Sequence, residues 1–312
     1  MILKHKKIIK ITDIADVISE KTLIPVYEIA GVNKKYINNL SKHLNKKIIG
    51  QDEAIETLIN STKKIKCGFK DDNKPISFLF VGPTGVGKTK LALDYGKYMF
   101  GNNVVRLDLS EYRDSTSINK FLGSSPGYVG YDDGNNKLEE IRKCPHSLIL
   151  LDEIEKAHPS ILNLFLQILD DGKITDNKGN VVYFNNDIII MTSNIGYGKN
   201  ELGFVENECK DDSKVKEFLS IELLNRIQNV IYFNKMNYNS IYTIVKKKIR
   251  DVKKHFREKG INVHINNGII EKIINDSKYL EYGVRKVDKA IEDNINNIII
   301  DNILDGHNEI FV

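Results

Sequence analysis

Residues 78–89 of this 312-residue chain read FLFVGPTGVGKT, an apolar run followed by a glycine-rich loop that ends in Lys88 and Thr89. Glycines accept positive φ, so such a loop can turn its backbone N–H groups inward and, with the start of the following helix, bind phosphate. Lys88 would hold the β- and γ-phosphates of a nucleoside triphosphate, and the Thr89 hydroxyl would be a ligand of Mg²⁺. An accidental glycine-rich turn is the alternative, but strand, loop and helix signals agree. The expected nucleotide-binding residues are Gly82, Pro83, Thr84, Gly85, Val86, Gly87, Lys88 and Thr89.

A second apolar run, LILLDE at residues 148–153, ends in two carboxylates. Its continuous hydrophobicity is typical of a strand buried on both faces, and the carboxyl edge of such a strand faces the phosphates. Asp152 is expected to bind Mg²⁺, through water, and Glu153 to orient or deprotonate the water that attacks the γ-phosphate. Alternatively, the two acids cap the helix that follows, a reading that the upstream phosphate loop disfavours.

The composition of the chain argues against several other classes of protein. The net charge of +4 comes from lysines spread along the chain rather than from one basic block, so nucleic-acid binding is not indicated. Cys67, Cys144 and Cys209 lack metal-site spacing and are expected to be reduced. No apolar run reaches transmembrane length and the first ten residues do not resemble a signal peptide, so a soluble protein without membrane partners is expected.

Strand and helix patterns alternate up to about residue 232, which predicts an α/β domain with a parallel sheet flanked by helices. Beyond that point three helical patterns and two short strands predict a small, mainly helical domain. The expected organisation is a linker segment at 1–46, a large nucleotide-binding domain at 47–232 and a small C-terminal domain at 233–312.

Four further stretches carry a family resemblance: GSSPGYVGY at 123–131, LDEIEKAHP at 151–159, LDDG at 169–172 and MTSN at 191–194. With the phosphate loop, they resemble the second ATPase module of the Clp unfoldases, of the ClpC/ClpA type. These are AAA+ P-loop NTPases that thread polypeptides through a hexameric ring. The resemblance runs from about Ile14 to the C-terminus.

The resemblance implies roles for residues whose chemistry is ambiguous in isolation. Asn194 would be the sensor that positions the attacking water. Arg226, in the segment Leu224-Asn225-Arg226, would be an arginine finger reaching the γ-phosphate of the neighbouring subunit, and Arg285 a second sensor from the small domain. Ile48 and Ile49 would contact adenine. Around Arg285 the sequence departs from the family, with Val284 in place of Ala and Lys286 in place of Pro.

Two further segments bear on polypeptide handling. In Gly127-Tyr128-Val129-Gly130 the glycines free a loop that presents an aromatic ring, and the family places this loop in the axial pore, where Tyr128 and Val129 would grip substrate. Leu202, Gly203 and Phe204 lie in an otherwise polar loop. Exposed apolar residues there suggest docking to a ClpP-type serine peptidase, unless the loop folds its hydrophobic residues back onto the domain.

The sequence is therefore interpreted as an ATP- and Mg²⁺-dependent ATPase, a homohexameric unfoldase that feeds unfolded or tagged proteins to a peptidase. A disaggregase working without a peptidase is the alternative within the family. A nucleic-acid remodelling AAA+ protein is disfavoured by the dispersed charge, and a non-hydrolysing scaffold by the presence of Glu153, Asn194 and Arg226. The absence of a transit peptide and the heavy use of Ile, Asn and Lys fit either a plastid-type organelle or a bacterial cytoplasm.

Overall fold

The structure is a computed structural model that describes residues 9–22, 34–123, 136–197, 215 and 219–312. Its centre is a five-stranded, all-parallel sheet in the order β2-β3-β6-β1-β7. These strands are β1 (Ile76–Val81), β2 (Val104–Asp108), β3 (Leu148–Asp152), β6 (Ile188–Ser193) and β7 (Asn229–Tyr232), while β4 (Lys173–Thr175) and β5 (Val181–Tyr183) form a separate antiparallel hairpin. The predicted parallel α/β fold is confirmed.

Helices cover both faces of the sheet, because alternate side chains of each buried strand point in opposite directions. On one face Phe78 and Phe80 pack with the helices that flank the phosphate loop; on the other, Leu79 and Val81 pack with the helix after β3. The helices of this part are α1 (Ile11–Thr22), α2 (Lys34–Lys47), α3 (Asp52–Lys66), α4 (Lys88–Phe100), α5 (Ile118–Leu122), α6 (Lys137–Lys143), α7 (Pro159–Asp171) and α8 (Ile221–Arg226).

Helix α2 was not predicted from the sequence. It lies within the segment expected to be a linker, yet Ile37, Leu40 and Leu44 are buried in the same core as α3 and α4. Their spacing of three and four places all three on one face of a helix. A patch of Lys and Asn on the remaining positions makes the segment look like a polar connection. In the structure α2 is an integral layer of the α/β part.

The C-terminal part has a core of its own, formed mainly by isoleucines that include Ile241, Ile273 and Ile310. Its elements are α9 (Tyr238–Glu258), β8 (Asn262–His264), α10 (Asn267–Ser277), α11 (Tyr279–Tyr282), α12 (Val287–Ile291), a π-helical turn (Glu292–Asn296), α13 (Asn297–Leu304) and β9 (Glu309–Phe311), with β8 and β9 paired in parallel. The predicted small helical unit with two short strands is observed. Among the helices that the structure describes, none has the length and hydrophobicity to cross a membrane.

Candidate nucleotide-binding and hydrolysis site

The phosphate loop joins β1 to α4 at the carboxyl edge of the sheet, where parallel α/β proteins bind their ligands. Gly85 has a φ of 73° and Gly87, which precedes the first residue of α4, a φ of 105°. Both values favour glycine, since an L side chain in the left-handed region is strained. A Cβ on Gly85 would also lie 2.3 Å from the carbonyl oxygen of Tyr282. The loop therefore requires glycine both for its turn and for the close approach of the C-terminal part.

Lys88 is buried at the centre of the site. Its Nζ donates hydrogen bonds to the carbonyl oxygens of Gly82 and Pro83, each at 2.6 Å, and to Asn194 Oδ1 at 2.7 Å. Burial lowers the pKa of the Lys88 ammonium to about 8, and the carboxylate of Glu155 opposes this shift. These contacts bring Lys88 and Asn194 together across 106 positions of sequence.

Asp152 ends β3 and is almost fully buried. Thr89 Oγ1 donates to its Oδ1 at 2.9 Å, the Thr192 hydroxyl donates to the same oxygen, and Arg106 Nη2 donates to its Oδ2 at 2.7 Å. The Thr89 hydroxyl and the Asp152 carboxylate thus lie side by side. Hard oxygen ligands of this kind suit Mg²⁺, so the residues present fit the expected ion.

Glu153 follows Asp152 with a φ of 59° and a ψ of 56°. Left-handed backbone costs a residue with a side chain about 1–2 kcal/mol, and such strain is concentrated at functional sites. The Glu153 N–H donates to Thr192 Oγ1 at 3.1 Å, and its Oε1 lies 3.7 Å from Arg285 Nη2. The sharp turn separates the directions of two adjacent carboxylates, so Asp152 faces Thr89 and Glu153 faces Arg285.

Arg285 reaches the site because the C-terminal part packs directly on the phosphate loop. The Val284 N–H donates to the Gly85 carbonyl oxygen at 2.9 Å, and Gly283 lies so close that a Cβ there would be 2.5 Å from the same oxygen. The Arg285 side chain remains largely exposed. The departures at Val284 and Lys286 therefore leave the arginine beside Glu153.

Arg226 ends α8 and contacts a different partner. Its Nε lies 2.6 Å from Asp170 Oδ1, which Lys74 Nζ also approaches at 3.4 Å. The guanidinium hydrogen bond lowers the pKa of the Asp170 carboxyl below its ordinary value. Among the described residues, no ion pair joins Arg226 to the carboxylates that surround Lys88.

Ile48 and Ile49 precede α3, beside the phosphate loop. Ile48 is buried, with its Cγ2 3.9 Å from the position of a Cβ on Gly87, and Ile49 is half-buried. Next to them, Gln51 makes a pair of hydrogen bonds with the backbone of Asn234: its Nε2 donates to the carbonyl oxygen and its Oε1 accepts from the N–H, both at 2.9 Å. Gln51 therefore ties this segment to the chain that leads into α9.

Several predicted site residues lie outside the described residues. These are Tyr128 and Val129 of the expected pore loop and Leu202, Gly203 and Phe204 of the expected docking loop. Cys209 lies there as well, whereas Cys67 and Cys144 are free thiols. Within the part of the chain that is described, no group of three or more His, Cys, Asp and Glu side chains is arranged to hold a metal ion.

Four residues at or beside the site have no function predicted from the sequence: Arg106, Thr192, Glu155 and Gln51. Arg106 gives a signal, since it is a cation within the otherwise apolar start of β2. Thr192 and Glu155 stand in stretches that carry the family resemblance, but their partners become visible only in three dimensions. Gln51 is a polar residue at a helix start, a place where its type alone indicates nothing specific.

Comparisons with known proteins agree with this architecture. Residues 73–230 match the family model described as AAA domain (Cdc48 subfamily), and residues 236–310 match the C-terminal, D2-small domain of ClpB protein. The ATP-dependent Clp protease ATP-binding subunit ClpL of Staphylococcus aureus, in strains MRSA252 and USA300, is 41% identical over 307 residues, which is 97% of this chain and 43% of that protein. The chain thus spans less than half the length of these relatives.

A solved structure supports the same assignment. A cryo-EM reconstruction of Hsp104 in a closed state, with ATPγS and FITC casein, superimposes with a TM-score of 0.81 at 29% identity, covering 96% of this chain and 53% of that one. Together with the two matched domains and the phosphate-loop geometry, it shows that the chain belongs to the AAA+ family and is a C-terminal ATPase module of the Clp unfoldases.

Proposed function

We propose that this chain hydrolyses ATP at the Lys88–Asp152–Glu153–Asn194 site and uses the energy to unfold and translocate polypeptides. The observation that carries the proposal is the convergence of these side chains at one edge of the sheet, with Arg285 beside Glu153. Binding groups, a carboxylate base and a cation at a single point are what phosphoryl transfer to water requires.

Thr89 and Asp152 would hold Mg²⁺, which neutralises charge on the phosphates when bound. Lys88 would bind the β- and γ-phosphates through its ammonium, and Ile48 and Ile49 would contact the adenine. Glu153 accepts a proton from the attacking water as general base, while the Asn194 side chain orients that water. Arg285, already 3.7 Å from Glu153, supplies positive charge from the C-terminal part.

Arg226 would act on a neighbouring subunit. Its only described ion-pair partner in this chain is Asp170, and it makes none with the carboxylates of its own hydrolysis site. A guanidinium that reaches the γ-phosphate of the next subunit would couple hydrolysis to assembly. We therefore infer a ring, and by analogy with the family a homohexamer.

Polypeptide would be gripped by Tyr128 and Val129, and peptidase would be bound through Leu202, Gly203 and Phe204. The ClpL relatives are named as ATP-binding subunits of a Clp protease, which favours partnership with a ClpP-type peptidase. The Hsp104 reconstruction contains casein, a protein ligand, and is compatible with the alternative of a disaggregase without a peptidase. The named relatives are bacterial, which favours a bacterial cytoplasm over a plastid.

Unfolding of a stable tagged substrate tests this function. The wild-type chain is expected to unfold it only with ATP, whereas Tyr128→Ala should keep ATP turnover and lose unfolding, because the ring grips substrate rather than phosphate. Stimulation of turnover by DNA instead of by unfolded protein would contradict the proposal. Equal loss of turnover and unfolding in Tyr128→Ala would assign Tyr128 a structural role.

The peptidase partner is tested separately. Replacing Leu202 and Phe204 by Ser should abolish binding to a ClpP-type peptidase from the same source, since each apolar side chain contributes about 1.5–3 kcal/mol when buried. ATP turnover and assembly should be unchanged. No binding by the wild type would favour the disaggregase alternative, and equal binding by both proteins would mean that Leu202 and Phe204 do not dock the peptidase.

A further inference from the structure

The side-chain amide of Asn194 lies between one group that can only donate and one that can only accept. Lys88 Nζ donates to Asn194 Oδ1 at 2.7 Å, and Asn194 Nδ2 donates to Glu155 Oε1 at 3.1 Å. An ammonium has no acceptor, and an ionised carboxylate has no donor. Rotating the amide by half a turn would set its NH₂ against the ammonium and its oxygen against the carboxylate. The chemistry of the two neighbours therefore fixes the orientation.

Glu155 holds the backbone of Asn194 as well. The Asn194 N–H donates to the same Glu155 Oε1 at 3.2 Å. The second oxygen, Oε2, is buried and accepts no hydrogen bond from the described residues. Within the described part of the chain, the hydrogen bonds that this carboxylate accepts thus come from one residue, Asn194.

The position of Glu155 is fixed by the backbone turn in which it lies and by the packing of its neighbour. It lies in the short 3₁₀ turn Ile154–Lys156 that follows the left-handed backbone of Glu153, and Ile154 is buried in the core. Glu153 and Glu155 therefore stand on one turn whose geometry is fixed by packing. One carboxylate faces Arg285, and the other faces Asn194.

We propose that Glu155 is a positioning residue for ATP hydrolysis, which holds the Asn194 amide with its oxygen toward Lys88 and the phosphate loop. The inference rests on the proposed function, in which Asn194 orients the attacking water. Without Glu155 the amide loses one of the two contacts that fix its orientation, and only the hydrogen bond from Lys88 Nζ to Asn194 Oδ1 still opposes its rotation. Lys88 keeps its bonds to the carbonyl oxygens of Gly82 and Pro83, and nucleotide binding is therefore retained.

Steady-state turnover and the affinity for a non-hydrolysable ATP analogue test the proposal. Glu155→Ala should lower kcat roughly 10- to 100-fold, the loss expected when hydrogen bonds to a charged group are removed. The dissociation constant of the analogue should change by less than about threefold, since such a change is under 1 kcal/mol. Glu155→Gln keeps an oxygen that accepts both hydrogen bonds, and should retain more turnover than the alanine variant because neutral bonds are weaker but present.

A double-mutant cycle with Asn194→Ala separates positioning from general stability. If Glu155 acts through the Asn194 side chain, Glu155→Ala should cause little further loss of kcat once that side chain is removed. Glu258→Ala is the matched control, because Glu258 is an exposed glutamate at the end of α9 whose one ion pair with a described residue is a 3.9 Å contact to Lys254. It should hydrolyse ATP at the wild-type rate.

Three results would overturn the inference. They are wild-type kcat in Glu155→Ala, full additivity in the cycle, and equal losses of kcat and affinity that glutamine does not rescue. Each leaves the proposed function standing if Glu153→Gln is inactive in the same assay. Conversely, near wild-type ATP turnover in Glu153→Gln would contradict the proposed function itself.

Discussion

Gly283 controls how the C-terminal part meets the phosphate loop, and one added methyl group tests this contact. Its φ of 57° and ψ of −135° form a combination suited to glycine, and a Cβ would lie 2.5 Å from the Gly85 carbonyl oxygen and 2.8 Å from that of Thr84. Both contacts are with backbone, which cannot rotate away as a flexible side chain can. Gly283→Ala must therefore lift this segment from the loop.

The expected free-energy cost of Gly283→Ala is the sum of two contributions. Strained backbone contributes about 1–3 kcal/mol, and loss of the hydrogen bond from Val284 N–H to Gly85 contributes about 0.5–1.5 kcal/mol. A total of about 1.5–4.5 kcal/mol would shift the docking equilibrium by about 10- to 2,000-fold. Since docking places Arg285 beside Glu153, ATP turnover should fall toward that of Arg285→Ala.

The assay is kcat for ATP hydrolysis, with thermal unfolding as a check of the fold. Gly260→Ala is the matched control: its φ of 81° imposes similar strain, but nothing lies within 4 Å of the added Cβ. The control should lose stability and keep turnover. If Gly283→Ala hydrolyses ATP as fast as Gly260→Ala, the contact is not what positions Arg285, and the reasoning fails.

Two other predictions concern assembly and pH. Arg226→Ala should bind nucleotide normally and turn over slowly, and mixing it with Glu153→Gln should restore some hydrolysis at interfaces that pair an intact Glu153 with an intact Arg226; no rescue where rings form would point to action within one chain. Asp187 is fully buried immediately before β6, and burial raises the pKa of its carboxyl from 3.8 to about 7. The folded state then holds a proton that the unfolded state releases, so the free energy of unfolding should fall by about 3 kcal/mol as pH rises from about 4 to 7. Urea unfolding at several pH values should show a much flatter profile for Asp187→Asn, and parallel profiles would refute this assignment.

Local sequence signals were sufficient for much of the α/β part. The apolar runs at β1 and β3 are buried on both faces, and each is followed by the expected loop or carboxylate. Such signals work because strand burial and glycine-dependent turns are properties of short segments. The β4–β5 hairpin around Asp176 to Gly179 was predictable for the same reason.

Elements and contacts that depend on distant residues were not predictable in this way. Strand β7 is short and only partly buried, and it exists because it pairs with β1 about 150 positions earlier in the chain. The hydrogen bonds from Asn194 to Glu155 span 39 positions, and nothing in the local pattern around Glu155 indicates its partner. The contact of Gly283 with Gly85 joins two parts with separate cores, so only the assembled structure reveals it.

Glu153→Gln tests the central claim most directly, because it keeps the size and hydrogen bonding of the side chain and removes the base. Binding of a fluorescent ATP analogue and single-turnover hydrolysis should be measured on the same preparation. The account predicts unchanged affinity and a hydrolysis rate lower by roughly 10²- to 10⁴-fold. Hydrolysis near the wild-type rate with normal binding would contradict it, since Glu153 could not then be the base.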